Sequence, residues 1–163
     1  MKTVKGDLVE AICAGAEGGP QIMLHVCNNK GVMGSGIALT VKNRIPDAYR
    51  AYRQFEEYNG GIQLGTISTC HNVINLHAQD GYGQGIRHLD YESLYVCLEK
   101  AADHIAKSGI ERIGVPYRMG SDRAGGDWRI VSAMLESVFT YGHNPYTTLY
   151  VYELDKPSTK RHY

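Results

Sequence analysis

Two glycine-rich segments have residue types and spacings suited to gripping an anion. In the first, an apolar run over residues 22–26 ends at Cys27, Asn28 and Asn29, and Met33, Gly34, Ser35, Gly36, Ile37 and Ala38 then open a helical pattern. A strand that delivers glycines to a helix N-terminus lets backbone N–H groups come close to a ligand, and the helix dipole favours negative charge there. Phosphate is the usual anion for such a cradle. The second segment follows a strand-like run at 112–116 and reads Tyr117, Arg118, Met119, Gly120, Ser121, Asp122, Arg123, Ala124, Gly125, Gly126, Asp127, Trp128. It repeats the first arrangement, and Arg118 and Arg123 can add charge-assisted hydrogen bonds to phosphate. Two such loops at one sheet edge suit a diphosphate held between them.

Strands and helices must alternate to place those loops. Strands are predicted at 3–5, 22–26, 65–70, 73–77, 112–116 and 148–154, with a tight turn at His71 and Asn72. Asp7 precedes a short helical run at 8–14. A longer helical pattern over 37–58 is divided at Pro46, because a proline inside a helix breaks its hydrogen-bond ladder. Asp90 is predicted to cap a helix with the face Leu94, Leu98, Ala101, Ile105, stopped at Ser108 and Gly109. Val131, Met134, Leu135, Val138 and Phe139 mark the last helix, and Gly81, Gly83 and Gly85 make 78–88 a flexible loop. This alternation implies an α/β fold, a mainly parallel or mixed sheet covered on both faces, with ligands beyond the carboxyl ends of the strands.

A length of 163 residues fits one domain with a sizeable core, followed by a polar tail at 155–163. The formal net charge is zero, which argues against a stable nucleic-acid or membrane-surface binder. Lys160 and Arg161 in the tail read as solvated charges. No apolar run approaches the roughly 20 residues that span a bilayer. The first residues look like a strand and not a signal sequence, so a cytoplasmic monomer is expected. Cys13, Cys27, Cys70 and Cys97 are scattered and read as small buried apolar residues. Cys70, His71 and His77 are the nearest thing to a metal cluster and are too loosely grouped, so neither metal nor cofactor is expected.

Gly6-Asp7-Leu8, then Asn28 with Gly34 to Ala38, then Ala124 to Trp128 resemble, in that order and spacing, the macro domain family over residues 1–154. The Cys27-Asn28 pair with Met33 to Ala38 is most similar to the branch of ADP-ribose 1''-phosphate phosphatases and ADP-ribosyl-glutamate hydrolases. The resemblance implies a three-layer α/β/α sandwich with a mixed central sheet that binds ADP-ribose. It implies that Asp7, beside Leu8, accepts from the adenine amino group, a role suited to a carboxylate. It places Asn28 against the distal ribose. Met33 to Ala38 on one side, and Tyr117, Met119, Gly120, Ser121, Asp122, Arg123, Gly125 and Gly126 on the other, would wrap the diphosphate and that ribose.

Each of these residues also has a plainer reading. Asp7 and Asp127 can be helix N-caps, Asn28 can satisfy its own loop, His25 can be a core histidine, and Trp128 can pack the core. Phosphomonoester hydrolysis needs a positioned water, charge stabilisation at the phosphoryl oxygens and a group that manages a proton. Asn28, Asp122 and His77 are the catalytic candidates. A family branch that releases ADP-ribose uses a lysine before the long glycine loop, where this chain has Leu76, His77, Ala78 and Gln79. The aspartate column of its second loop falls here on Ala124. The expected activity is conversion of ADP-ribose 1''-phosphate to ADP-ribose and phosphate. The alternatives are a non-catalytic ADP-ribose reader and a hydrolase that removes ADP-ribose from protein or nucleic acid.

Overall fold

A run of apolar side chains on both faces of one strand sets the centre of the molecule. In the computed structural model, which describes residues 1–83, 85–141 and 147–155, that strand is β2, Ile22–Asn28. The order along the chain is β1 Lys2–Lys5, α1 Leu8–Ala14, β2, α2 Gly36–Arg44, α3 Pro46–Asn59, β3 Thr66–Cys70 and β4 Val73–Gln79. Then follow α4 Tyr91–Ser108, β5 Arg112–Pro116, α5 Trp128–Phe139 and β6 Thr148–Glu153. The strands form one sheet in the order β1-β6-β5-β2-β4-β3. All neighbours pair in parallel except β3 with β4, so the sheet is mixed.

Side-chain alternation divides the core. Ile22, Leu24, Ile74, Leu76, Ile113 and Val115 share a cluster with Leu94, Leu98 and Ile105 of α4 and Val131 and Leu135 of α5. Met23 and Val73 point the other way, toward Leu8 and Ile12 of α1, Val41 of α2 and Ala48 of α3. Helices therefore cover both faces, giving the three-layer α/β/α sandwich. Trp128 is partly buried against the first cluster, with its ring 5.5 Å from that of Tyr117.

Local chemistry explains the helix starts. Asp7, Asp90 and Asp127 accept from the backbone N–H of Glu10 (3.1 Å), Ser93 (3.0 Å) and Arg129 (2.9 Å), each capping the helix that follows. Pro46 divides the long pattern as predicted and occupies the first turn of α3, where its missing N–H costs nothing.

Three expectations need correction. β2 and β4 run on to Asn28 and Gln79, past the predicted ends, because they stay paired across an irregularity at Cys27/Asn28. Such a bulge re-aims the side chains beyond it. The loop at 78–88 is tied down at its base: Asp80 N donates to His88 O at 2.8 Å, Gly81 N to Asn29 Oδ1 at 2.9 Å and Asn29 Nδ2 to Asp80 Oδ1 at 3.0 Å. Cys27 and Cys97 are buried, but Cys70 is only partly so, and Cys13 is exposed, beyond the buried Leu8, Val9 and Ile12 of α1. Lys160, Arg161 and all of the tail beyond Asp155 lie outside the described residues.

Candidate ligand-binding cleft

The parallel strands β2, β4 and β5 release their chains at the same edge of the sheet, and a cleft of about 320 Å³ opens there. That volume lies at the lower end of the range for small-ligand sites, about 300–1,000 Å³. β2 has β4 on one side and β5 on the other, so consecutive connections diverge at this point and leave a crevice. Three loops wall it: Asn28 with Gly34 to Ala38 after β2, Arg118 to Gly120 with Asp122 to Ala124 after β5, and Gln79, Tyr82 and Gly83 after β4.

The first wall is neutral and hydrogen-bonded. Asn28 is 8% exposed. Its Oδ1 accepts from Lys30 N at 2.9 Å, and its Nδ2 donates to Val32 O at 2.7 Å. Tyr52 Oη lies 2.7 Å from Asn28 O and 2.8 Å from Asn28 Oδ1, sharing its one proton between them, and it accepts from Gly31 N at 3.0 Å. Burial pushes the Tyr52 phenol well above its ordinary range, so it stays a neutral donor. Glycine suits this turn because its φ is 77°, a backbone conformation that other side chains rarely adopt. Ser35 precedes α2 without a side-chain capping bond. The first-turn N–H groups of Gly36, Ile37 and Ala38 therefore stay available to an anion among the described residues.

The second wall is charged. Arg118 and Arg123 are the cationic side chains lining the cleft among the described residues, and Asp122 is the acidic one. Arg118 Nε lies 3.2 Å from Asp122 Oδ1. Gly126 closes this loop by donating to Gly120 O at 2.9 Å, and it must be glycine, since a Cβ would meet Leu89 Cδ2 at 2.4 Å and Gly120 O at 2.7 Å. His88 N and Leu89 N both donate to Ala124 O, at 2.8 and 3.0 Å, tying the third loop to the second.

Of the residues singled out in the sequence, the cleft brings together Cys27, Asn28, Gly34, Ser35, Gly36, Ile37, Ala38, Arg118, Met119, Gly120, Asp122, Arg123 and Ala124. The others lie beside or beneath it. Leu8 is buried against the sheet where Gly114 leaves room for it, and Met33 is buried with Cys27, Tyr52 and Ile62. Tyr117 packs on Trp128, and the Ser121 hydroxyl turns back toward Met119 O at 3.4 Å. Gly125 packs against Arg87, and Gly126 against Leu89. Asp7 stands at the carboxyl end of β1, on the same sheet edge but outside the cleft, with Oδ1 on Glu10 N.

His77 does not reach the cleft. Its ring nitrogens engage Thr66 Oγ1 and Ser68 Oγ, both at 2.8 Å, and the side chain is fully buried. Ser68 Oγ accepts from Asn75 Nδ2 at 3.0 Å, and Asn75 Oδ1 meets His25 Nε2 at 2.7 Å. Burial lowers both histidines to a pKa of about 4, so this chain of groups is neutral near pH 7.

Gln79, Tyr82 and Gly83 were not among the sequence candidates. A signal existed: the strand beside β2 must also end at this edge, and its loop carries glycines.

No family model matches this chain, and no curated protein matches it by sequence. Solved structures do. The macrodomain of Thermus aquaticus DarG superposes with a TM-score of 0.73 at 22% identity, over 96% of this chain and 97% of that one. A macrodomain protein from Streptomyces coelicolor gives 0.68 at 26% identity, over 93% and 97%. Thermosipho africanus DarTG, solved in complex with ADP-ribose, gives 0.69 at 20% identity, over 96% of this chain and 42% of that longer one. This chain therefore has a macrodomain fold.

Proposed function

We propose that this protein binds ADP-ribose in the cleft and hydrolyses ADP-ribose 1''-phosphate to ADP-ribose and phosphate. The observation that carries the reading is one crevice with neutral N–H donors at Gly36 to Ala38 on one wall and Arg118, Arg123 and Asp122 on the other. Neutral donors suit the diphosphate, and the arginines suit phosphoryl oxygens that gain charge in the transition state. Asn28 would meet the distal ribose: its Nδ2 carries two protons, and Val32 O takes one. Asp7 would accept from the adenine amino group through Oδ2, since its Oδ1 caps α1.

In the reaction, water adds to phosphorus and the bond from phosphorus to O1'' breaks. Asp122, facing the cleft, would move the water proton toward the departing sugar oxygen. Burial and its two hydroxyl partners assign His77 to the support of the sheet. No lysine lines the cleft among the described residues, which weighs against a lysine-dependent release of ADP-ribose.

Phosphate release from ADP-ribose 1''-phosphate by the purified protein tests the reading. ADP-ribose binding without phosphate release would leave a reader. Release of ADP-ribose from modified glutamate or thymidine would make the protein a hydrolase of macromolecular ADP-ribose. Asp7→Ala is expected to weaken ADP-ribose binding, and Asn28→Ala to lower turnover more than affinity. If neither changes binding or turnover, the ligand lies elsewhere.

A further inference from the structure

The two acidic–basic pairs around α5 differ in quality. Arg129 grips Asp127 through both carboxylate oxygens, Nε to Oδ1 at 3.2 Å and Nη2 to Oδ2 at 2.8 Å. Arg118 reaches Asp122 through Nε at 3.2 Å, and that Nε is buried without a hydrogen bond. The contact is thus Coulombic but misaligned, although a guanidinium is built for aligned, two-pronged contacts. Arg118 also has a φ of 62°, a conformation that side chains other than glycine, asparagine and aspartate rarely adopt. Backbone outliers of this kind cluster at ligand clamps and switch regions. The Arg118 side chain is 42% exposed and that of Asp122 15%, and both line the cleft.

We propose that Arg118 and Asp122 form an exchangeable ion pair: a phosphoryl group of the ligand takes the carboxylate's place on the guanidinium and leaves Asp122 facing the ligand. A phosphoryl group presents several strong acceptor oxygens and more negative charge than one carboxylate, so it can satisfy the donor geometry that Asp122 leaves unmet. While paired to a cation, a carboxylate is a poor proton acceptor. Arrival of the phosphate removes the part of that restraint that Arg118 exerts, at the moment the proton must be handled. The pair then joins binding to catalysis, and Asp122 competes with the ligand until it is displaced. The proposal rests on the phosphate-binding reading of the cleft given above.

Calorimetric titration of ADP-ribose and of ADP-ribose 1''-phosphate into wild type, Arg118→Gln and Asp122→Asn separates this from a structural ion pair. Arg118→Gln is expected to weaken binding by about tenfold or more, the loss of one hydrogen bond to a charged group. If only the 1''-phosphate weakens, Arg118 meets the terminal phosphate, and if both ligands weaken, it meets the diphosphate; either supports the exchange. Asp122→Asn keeps the shape, removes the competitor and is expected to tighten phosphate binding about threefold or more while turnover falls. Loss of the Asp122 charge alone would tighten binding equally without Arg118, so a gain that persists undiminished in the Arg118→Gln/Asp122→Asn double variant overturns the proposal, as does unchanged or weaker binding by Asp122→Asn, even where Arg118→Gln fails to fold. Should wild type bind neither nucleotide, the ADP-ribose reading fails by itself. Inorganic pyrophosphate then decides the pair: tighter binding by Asp122→Asn sustains the exchange, and no binding or no gain sinks it.

Discussion

The two walls of the cleft are held by different physics. The wall after β2 is fixed from below, where buried Tyr52 reaches both oxygens of Asn28 and receives Gly31 N, and every partner is neutral. The wall after β5 is fixed at its base by glycine packing on Leu89, but its cleft-facing groups are charged and partly in solvent. Buried neutral hydrogen bonds strengthen in a low dielectric and hold one geometry. The Arg118–Asp122 contact is only partly exposed, but its buried Nε makes no hydrogen bond, so little fixes it in one geometry. A cleft built this way has one wall fixed by buried neutral bonds and one that, on the exchange proposed above, responds to the charge of what enters.

Acid is the largest expected perturbation, and it strikes the positioning wall's foundation. His25 and His77 have folded pKa values near 4, below the ordinary 6.5, so the unfolded chain binds more protons between those limits. Stability is fully present above about pH 6.5 and falls as pH drops toward 4, by up to about 1.4 kcal/mol per pH unit for each histidine. Denaturant midpoints from pH 7 to about pH 4.5 check this. A flat profile would mean that the buried chain from His25 to His77 is charged when folded and that the contrast between the walls is misdrawn.

The base of the responsive wall is the next largest effect. Gly126→Ala places a methyl against Leu89 Cδ2 and Gly120 O, and the second of these is backbone that has little room to yield. A loss of about 3 kcal/mol is expected, near the upper end for overpacking. Loss of ligand affinity should accompany it, because the 120–126 closure carries Asp122 and Arg123. Tyr52→Phe is the matching test on the other wall. It removes one hydroxyl and leaves Gly31 N and the Asn28 oxygens short of a partner, for about 1–2 kcal/mol. Affinity for ADP-ribose should fall with it. Unchanged affinity in Tyr52→Phe, with stability lowered, would show that Asn28 does not need the phenol to hold its place.

The difference between the walls also explains what could be read in advance. Glycine spacing and strand ends are local, so both loops, the division at Pro46 and the caps at Asp7, Asp90 and Asp127 were legible. The partner of Asn28 was not, because Tyr52 lies a helix away and reaches it only once α3 packs on the sheet. His77 stood on a strand that ends at the cleft, but register decides its direction, and the pairing with Thr66 and Ser68 turns it inward. Gln79 and Tyr82 enter the cleft because β4 stays paired past its predicted end, across the irregularity beside Asn28. Arg118 and Asp122 were visible as residue types, while their misaligned contact is purely geometric.

The smallest expected effect separates two aspartates that sit five residues apart. Asp127 caps α5 through Arg129 N and carries an exposed ion pair, and it does not line the cleft. Asparagine caps a helix as well as aspartate does, and an exposed ion pair contributes only about 0–1 kcal/mol. Asp127→Asn should therefore change stability by less than about 1 kcal/mol and leave turnover of ADP-ribose 1''-phosphate as in wild type, measured side by side with Asp122→Asn. Asp127→Ala removes the cap itself and should cost about 1 kcal/mol, again without a selective loss of turnover. If Asp127→Asn abolished turnover at full stability, the proton would be handled at the start of α5, and the responsive wall would extend beyond the cleft that Arg118 and Asp122 line.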